Sequence, residues 1–151
     1  GLLAPILKPY LKTDGILTGV DVSGLMLDEA RKKAVYTNLV QQGIVSYCRE
    51  NTENFDFVAC MDVLSYFGSL VPVFKAFANT LTRKGTAVFS VLTTPNVGFS
   101  LQPNGQYKHS RSFVEDCLDI AGLKVLSVAE DILRYELDSP ENCLIYRVGK
   151  K

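Results

Sequence analysis

The chain has no tryptophan, one histidine, no surplus of either charge and no long apolar run. With 16 basic and 16 acidic side chains its formal net charge is zero. No basic excess is available to track a phosphate backbone, which disfavours nucleic acid as the main partner. No apolar run approaches the ~20 residues of a membrane span, and no signal-peptide pattern opens the chain. The four cysteines, Cys48, Cys60, Cys117 and Cys143, include no C-x-x-C pair. They read as buried, reduced thiols of a cytoplasmic protein, and with a single histidine they make a structural zinc site improbable.

What is present is a globular composition, 47% hydrophobic and 21% charged, in 151 residues. That length and balance predict one domain spanning residues 1–151. Apolar periodicity predicts alternating strands and helices: a strand at Ile16–Val20, a helix at Leu25–Val35 and a short strand at Ile44–Tyr47. Phe55–Met61 is apolar on both faces apart from Asp56, the pattern of a central parallel strand. A helix at Leu70–Leu81 and a second two-sided apolar strand at Thr86–Leu92 follow. Thr93–Ser110, rich in proline and glycine, reads as a long loop of the kind that serves as a lid. Ser112 and Glu115 have capping-box spacing and predict a helix ending at Gly122. Strands at Lys124–Glu130 and Asn142–Val148 close the chain without an intervening helix. The pattern predicts an α/β fold, a doubly wound, mostly parallel sheet with an antiparallel C-terminal strand pair at one edge.

Several polar residues stand where such sheets bind ligands. Asp21 leaves the first apolar strand in the run ILTGVDVSGLMLDEARKK (residues 16–33). It suits a turn or helix cap, and equally a carboxylate waiting at the carboxyl edge of a parallel sheet. Asp62 at the exit of the Phe55–Met61 strand has the same two readings. Tyr66 and Phe67 suit either core or the wall of a pocket. His109, in the loop, is a candidate base, because a neutral imidazole near pH 7 can accept a proton.

The ordered series GLLAPIL (1–7), GVDVS (19–23), MLDEAR (26–31), FDFVACMDVL (55–64) and GTAVFSV (85–91) resembles the class I S-adenosylmethionine-dependent methyltransferases. GQYKHS (105–110) and AGLKVL (121–126) resemble the predicted bacterial members found beside tetratricopeptide repeats. The resemblance implies a Rossmann-like fold, S-adenosylmethionine as cofactor and a small-molecule methyl acceptor. It makes Gly1 the last glycine of a glycine-rich loop, and implies that the family's first, central strand is missing and the domain incomplete at its N-terminus. It places Asp21 on the ribose hydroxyls, Val22 and Met26 against the adenine or ribose, and Gly43 and Ile44 at the adenine edge. Met61 and Asp62 fall at the methionine end. At Gly43 the family usually carries an acid, so that interaction lacks its side chain here. Two other functions are weighed beside the enzyme: a non-catalytic remnant kept for partner binding, and a nicotinamide-dependent oxidoreductase, which the Asp62 segment and the terminal strand pair disfavour.

Overall fold

The computed structural model describes residues 2–136 and 139–151. They form two compact units, Gly1–Tyr47 and Cys48–Lys151. The first contains helix α1 (Leu3–Leu7), a 3-10 turn at Lys8–Tyr10, strand β1 (Thr18–Asp21), helix α2 (Gly24–Arg31) and strand β2 (Asn38–Gln41), then the start of helix α3 (Ile44–Glu50). Strands β1 and β2 pair in parallel from Thr18↔Asn38 to Asp21↔Gln41. Ser23 caps α2 by accepting the Met26 N–H at 3.4 Å, and the helix buries Leu27 and Ala30, three positions apart on one face.

Two expectations change in this unit. Helix α2 stops at Arg31, short of Val35, and Ala34 adopts φ +51°, a left-handed conformation that cannot continue a right-handed helix. Ile44–Tyr47 is the opening of α3 and not a strand. The Tyr47 N–H bonds the Gly43 carbonyl at 3.0 Å, so a helical turn begun at Gly43 overrides the β-branched composition.

The second unit runs β3 (Phe55–Cys60), a 3-10 turn (Leu64–Tyr66), α4 (Val71–Thr80), β4 (Leu81–Leu92), β5 (Phe99–Leu101), β6 (Tyr107–His109), α5 (Arg111–Ile120), β7 (Leu123–Glu136) and β8 (Ser139–Lys150). Its sheet has the order β3-β4-β8-β7. The first pair is parallel, while β8 runs antiparallel to both β4 and β7. The expected α/β class and antiparallel C-terminal pair are therefore present. The parallel pairs β1–β2 and β3–β4 belong to separate sheets.

Of β1, β3 and β4, only β4 has a partner on each side among the described residues, although Phe55–Met61 reads as a central strand. Among the described residues β1 and β3 are end members, and β3 exposes Asp56, Phe57 and Ala59. A two-sided apolar sequence predicts cover on both faces, but it does not fix how many neighbours a strand pairs with. Helix α5 begins at Arg111 and is capped by Ser110, whose Oγ accepts the Phe113 N–H at 3.3 Å. Ser112 is thus not the cap. Ser110 has the extended backbone that a cap requires, whereas Ser112 already lies inside the helix.

The core of this unit is aromatic. Phe74 and Phe77 from α4, Phe89 from β4 and Tyr146 from β8 are fully buried. Phe89 lies 4.9 Å from Phe74 and stacks on Tyr146 at 5.4 Å between ring centroids. The Tyr146 hydroxyl has no hydrogen-bond partner among the described residues, and burial pushes its pKa up to about 12, so it stays neutral. Replacing Phe89 by Ala should cost about 3–5 kcal/mol in urea unfolding. Tyr146→Phe should leave stability unchanged or raise it, because it removes a buried hydroxyl that pairs with nothing. A loss above about 1 kcal/mol for Tyr146→Phe would show that the hydroxyl has a partner.

Candidate functional site

In the first unit, β1 delivers Asp21 to the carboxyl edge of a parallel pair, where open α/β sheets receive ligands. One carboxylate oxygen accepts the Ser23 N–H at 2.8 Å in an Asx turn, so the turn reading is correct for that oxygen. The other oxygen makes no hydrogen bond among the described residues. Val22 and Met26 beside it are 70% and 52% exposed, which removes the core reading for both. Gly43 sits in the turn between β2 and α3, where a Cβ would meet nothing closer than 4.0 Å, and Ile44 beside it is half-buried. The Asp21 carbonyl accepts the Gln42 N–H at 3.0 Å, tying the exits of β1 and β2 together. Gly1 lies outside the described residues.

In the second unit, β3 ends at Cys60 and the chain turns through half-buried Met61 into Asp62. Asp62 has φ +55°, left-handed and uncommon outside glycine, although aspartate tolerates it better than most residues. The turn is held because the Asp62 N–H donates to the Oγ of Ser90, a buried residue of β4, at 2.9 Å. The Asp62 carboxylate faces Arg134 of β7, whose Nη1 donates to both oxygens at 2.8 and 2.7 Å. The Nη2 of Arg134 donates to the Gln106 side-chain oxygen. Lys108 and Glu141 form a second ion pair at 2.7 Å. Ser90, Gln106, Lys108, Arg134 and Glu141 were not candidates in the sequence. No local spacing joins Arg134 to a partner 72 positions away.

The expected lid is a packed hairpin. Phe99–Leu101 and Tyr107–His109 pair antiparallel around a turn in which Gly105 takes φ +82°. Phe99 and Tyr107 rest on Gly68, where a Cβ would approach the Phe99 ring to 2.8 Å. Proline and glycine did mark a turn, but three-residue strands are too short to show a period.

His109 is fully buried within this hairpin, stacked on Phe113 at 5.9 Å. Its Nε2 faces the carbonyl oxygens of Phe67 and Gly68 at 2.8 and 3.1 Å. Two acceptors there require Nε2 to carry the proton, leaving Nδ1 as the ring's lone pair, buried and without a partner among the described residues. The geometry therefore corrects the candidate base: His109 tethers the hairpin to the turn after β3 and offers no accessible lone pair. Tyr66 is exposed on that turn and Phe67 half-buried. A separate cleft of about 500 Å³ opens where β4 ends, lined by Thr93, Thr94, Arg111, Glu130, Asp131, Ile132, Asn142, Cys143 and Leu144. Among the described residues no cluster of three or more His, Cys, Asp or Glu side chains could hold a metal ion, and no helix is long and apolar enough to cross a membrane.

Residues 1–89 match a family model described as a methyltransferase domain. The chain belongs to that family. Its fold is that of the class I S-adenosylmethionine-dependent methyltransferases. A solved S-adenosylmethionine-dependent methyltransferase from Clostridium acetobutylicum is similar over 99% of this chain and 80% of its own, at 19% identity and a TM-score of 0.72. The magnesium protoporphyrin IX methyltransferase of Synechocystis, solved with S-adenosylmethionine bound, is 17% identical over 95% of this chain and 64% of its own, with a TM-score of 0.69. The Burkholderia thailandensis 1,6-didemethyltoxoflavin-N1-methyltransferase, solved with its namesake ligand and S-adenosylhomocysteine, is 11% identical over 89% of this chain and 60% of its own, with a TM-score of 0.70. Among curated proteins, none matches the sequence.

In this methyltransferase domain His109 also sets a pH dependence of folding. Burial lowers its pKa below the ordinary 6.5, opposed by the carbonyls of Phe67 and Gly68. Below that ordinary value the unfolded chain binds a proton that the native ring resists, so stability is full above it and is lost as the pH falls. Urea unfolding between about pH 7 and pH 5 should show a slope of up to about 1.4 kcal/mol per pH unit from this residue. His109→Gln should flatten the curve in that window, and an unchanged curve would show that the ring titrates normally.

Proposed function

We propose that the chain binds S-adenosylmethionine and transfers its methyl group to a small-molecule acceptor. The observation that carries this reading is the environment of Asp21: one unbonded carboxylate oxygen at a parallel-strand exit, with Val22 and Met26 exposed beside it. A carboxylate can accept hydrogens from both hydroxyls of a ribose, and exposed apolar side chains next to it suit the flat face of a nucleoside. In the first unit, then, Asp21, Val22 and Met26 would hold the nucleoside, with Gly43 and Ile44 at the adenine edge. In the second unit, Met61 and Asp62 carry the family assignment to the methionine end. When bound, this cofactor supplies an electrophilic methyl group on a sulfonium. The chain's residues hold and align the reactants, and such alignment alone accounts for much of the rate of a displacement reaction. No proton need pass to His109.

For the acceptor, the cleft at the end of β4 has the volume of a small-molecule site. The ligand named for the Burkholderia relative supports a small-molecule acceptor. A cytoplasmic setting accords with four unpaired, buried cysteines.

A second reading, a methyltransferase fold kept for partner binding, is favoured by Gly43, which has no side chain to receive an adenine amino group. Calorimetric titration with S-adenosylhomocysteine separates the two. On the enzyme reading the wild-type chain binds, and Asp21→Ala weakens binding by at least about tenfold, since charge-assisted hydrogen bonds are worth roughly 1.5–3 kcal/mol each. Asp21→Asn is the sharper variant, because its amide oxygen can still accept the Ser23 N–H while the charge is gone. Retained affinity in Asp21→Asn, with the fold intact, would reduce Asp21 to a turn residue.

A further inference from the structure

The cleft at the end of β4 is walled by four side chains whose placement follows from strand register. Strands β7 and β8 pair Glu130 with Leu144 and Ile132 with Asn142, and the pair before them is Val128 with Tyr146. Side chains alternate along a strand, so all four stand on the face that Tyr146 shares with Phe89. All four line the cleft of about 500 Å³, together with Thr93 and Thr94. Every lining residue belongs to the second unit.

The four differ in chemistry along the two diagonals. Leu144 is buried and Ile132 is 42% exposed, which gives an apolar floor. Glu130 and Asn142 occupy the other diagonal, roughly 7–8 Å apart at the backbone as diagonal neighbours of an antiparallel pair. The Glu130 carboxylate has no hydrogen bond or ion pair among the described residues, and neither has the Asn142 side-chain amide. It is the backbone carbonyl of Asn142 that accepts the Thr93 N–H and hydroxyl, at 3.2 and 3.4 Å. Arg111 also lines the cleft, but its Nε donates to Glu115 at 2.9 Å, one helical turn along α5, so that cation already has its anion. Asp131 adds a second negative charge, with one oxygen on the Ile132 N–H at 2.8 Å. The uncompensated charge of the cleft is therefore negative. An apolar floor with a few convergent polar groups is the usual form of a small-molecule site.

We propose that this cleft takes a small amine, with a ring-sized apolar body on Ile132 and Leu144, an ammonium at Glu130 and a hydroxyl or carbonyl at Asn142. The inference rests on the methyltransferase reading given above and names its acceptor class: an amine-bearing small molecule, selected by Glu130. The ammonium is the handle by which the acceptor is held. An anionic analogue of the same shape is rejected, because its charge would meet Glu130 and Asp131.

The test titrates three probes of one shape into the full chain, followed by NMR. Tyramine carries the ammonium, para-ethylphenol carries no charge, and para-hydroxyphenylpropionate carries a carboxylate in its place. The wild-type chain should bind tyramine at least about tenfold more tightly than the propionate, with para-ethylphenol between them. Glu130→Gln should weaken tyramine by at least about fivefold and leave para-ethylphenol unchanged. Glu130→Asp, which keeps the charge on a shorter side chain, should restore part of the preference. Asp14→Asn, an exposed carboxylate lost from the first unit, should keep all of it. Equal binding of the three probes by the wild-type chain overturns the proposal without any variant. So does a Glu130→Gln chain that keeps the preference or loses all three probes alike, and so does an Asp14→Asn chain that loses it. S-adenosylhomocysteine, titrated into the same chain, reads the cofactor assignment separately. A chain that binds it but does not discriminate among the probes overturns this inference alone. A chain that prefers tyramine through Glu130 but does not bind S-adenosylhomocysteine overturns the cofactor reading and, with it, the acceptor role of the amine.

Discussion

The register of β4 against β8 is the constraint on which the rest of the second unit depends. It sets Phe89 directly opposite Tyr146, and Ser90 opposite Ile145. Successive residues of a strand point to opposite faces, so Phe89 joins Phe74 and Phe77 under α4 while Ser90 points the other way and takes the Asp62 N–H. A slip of one residue would put the serine into the aromatic core and the ring where the turn is anchored. Core packing and the geometry of the Asp62 turn are thus a single choice. The aromatic stack, worth several kcal/mol in buried surface, holds in place a backbone conformation that costs something to keep.

The same packing tolerates unpaired polar atoms. The Tyr146 hydroxyl and the Nδ1 of His109 are buried without partners among the described residues, each a cost of about 1–3 kcal/mol. Both belong to rings packed against other aromatics, Tyr146 against Phe89 and His109 against Phe113. Apolar contact on the ring faces offsets what one edge atom loses. For His109 the other nitrogen is well used, since it joins the β5–β6 hairpin to the turn that follows Asp62.

Much of this architecture was legible in the sequence because it arises from local periodicity. Thr86–Leu92 read as a two-sided apolar strand and is the inner part of β4. The terminal strands read as an antiparallel pair and extend beyond their expected ends. Where reading failed, the deciding interaction was not local. The number of neighbours that Phe55–Cys60 pairs with is set by other strands, and its own residues carry no record of it. Ser110 and Ser112 are equally good caps by type, and only the extended backbone at Ser110 separates them. The turn at Asp21 was legible because its partner, Ser23, is two residues away. The partners of Asp62 are not, because Ser90 and Arg134 lie 28 and 72 positions along the chain. His109 was visible as a lone imidazole, but its burial, which decides its chemistry, depends on Phe99, Phe113 and the carbonyls of residues 67 and 68.

The buried cysteines have a consequence of another kind. All four are free and buried, and loss of hydration pushes the thiols of Cys48 and Cys60 up to about 11 and about 12. Thiolate is the species that alkylating reagents and peroxide attack, so the native chain presents almost none of it. Three of the four lie on elements that close the second unit: Cys60 at the end of β3, Cys117 in α5 and Cys143 in β8. They become reactive when that packing opens. The molecule therefore carries its own label for cooperative unfolding, with alkylation marking the moment at which the interior first meets water.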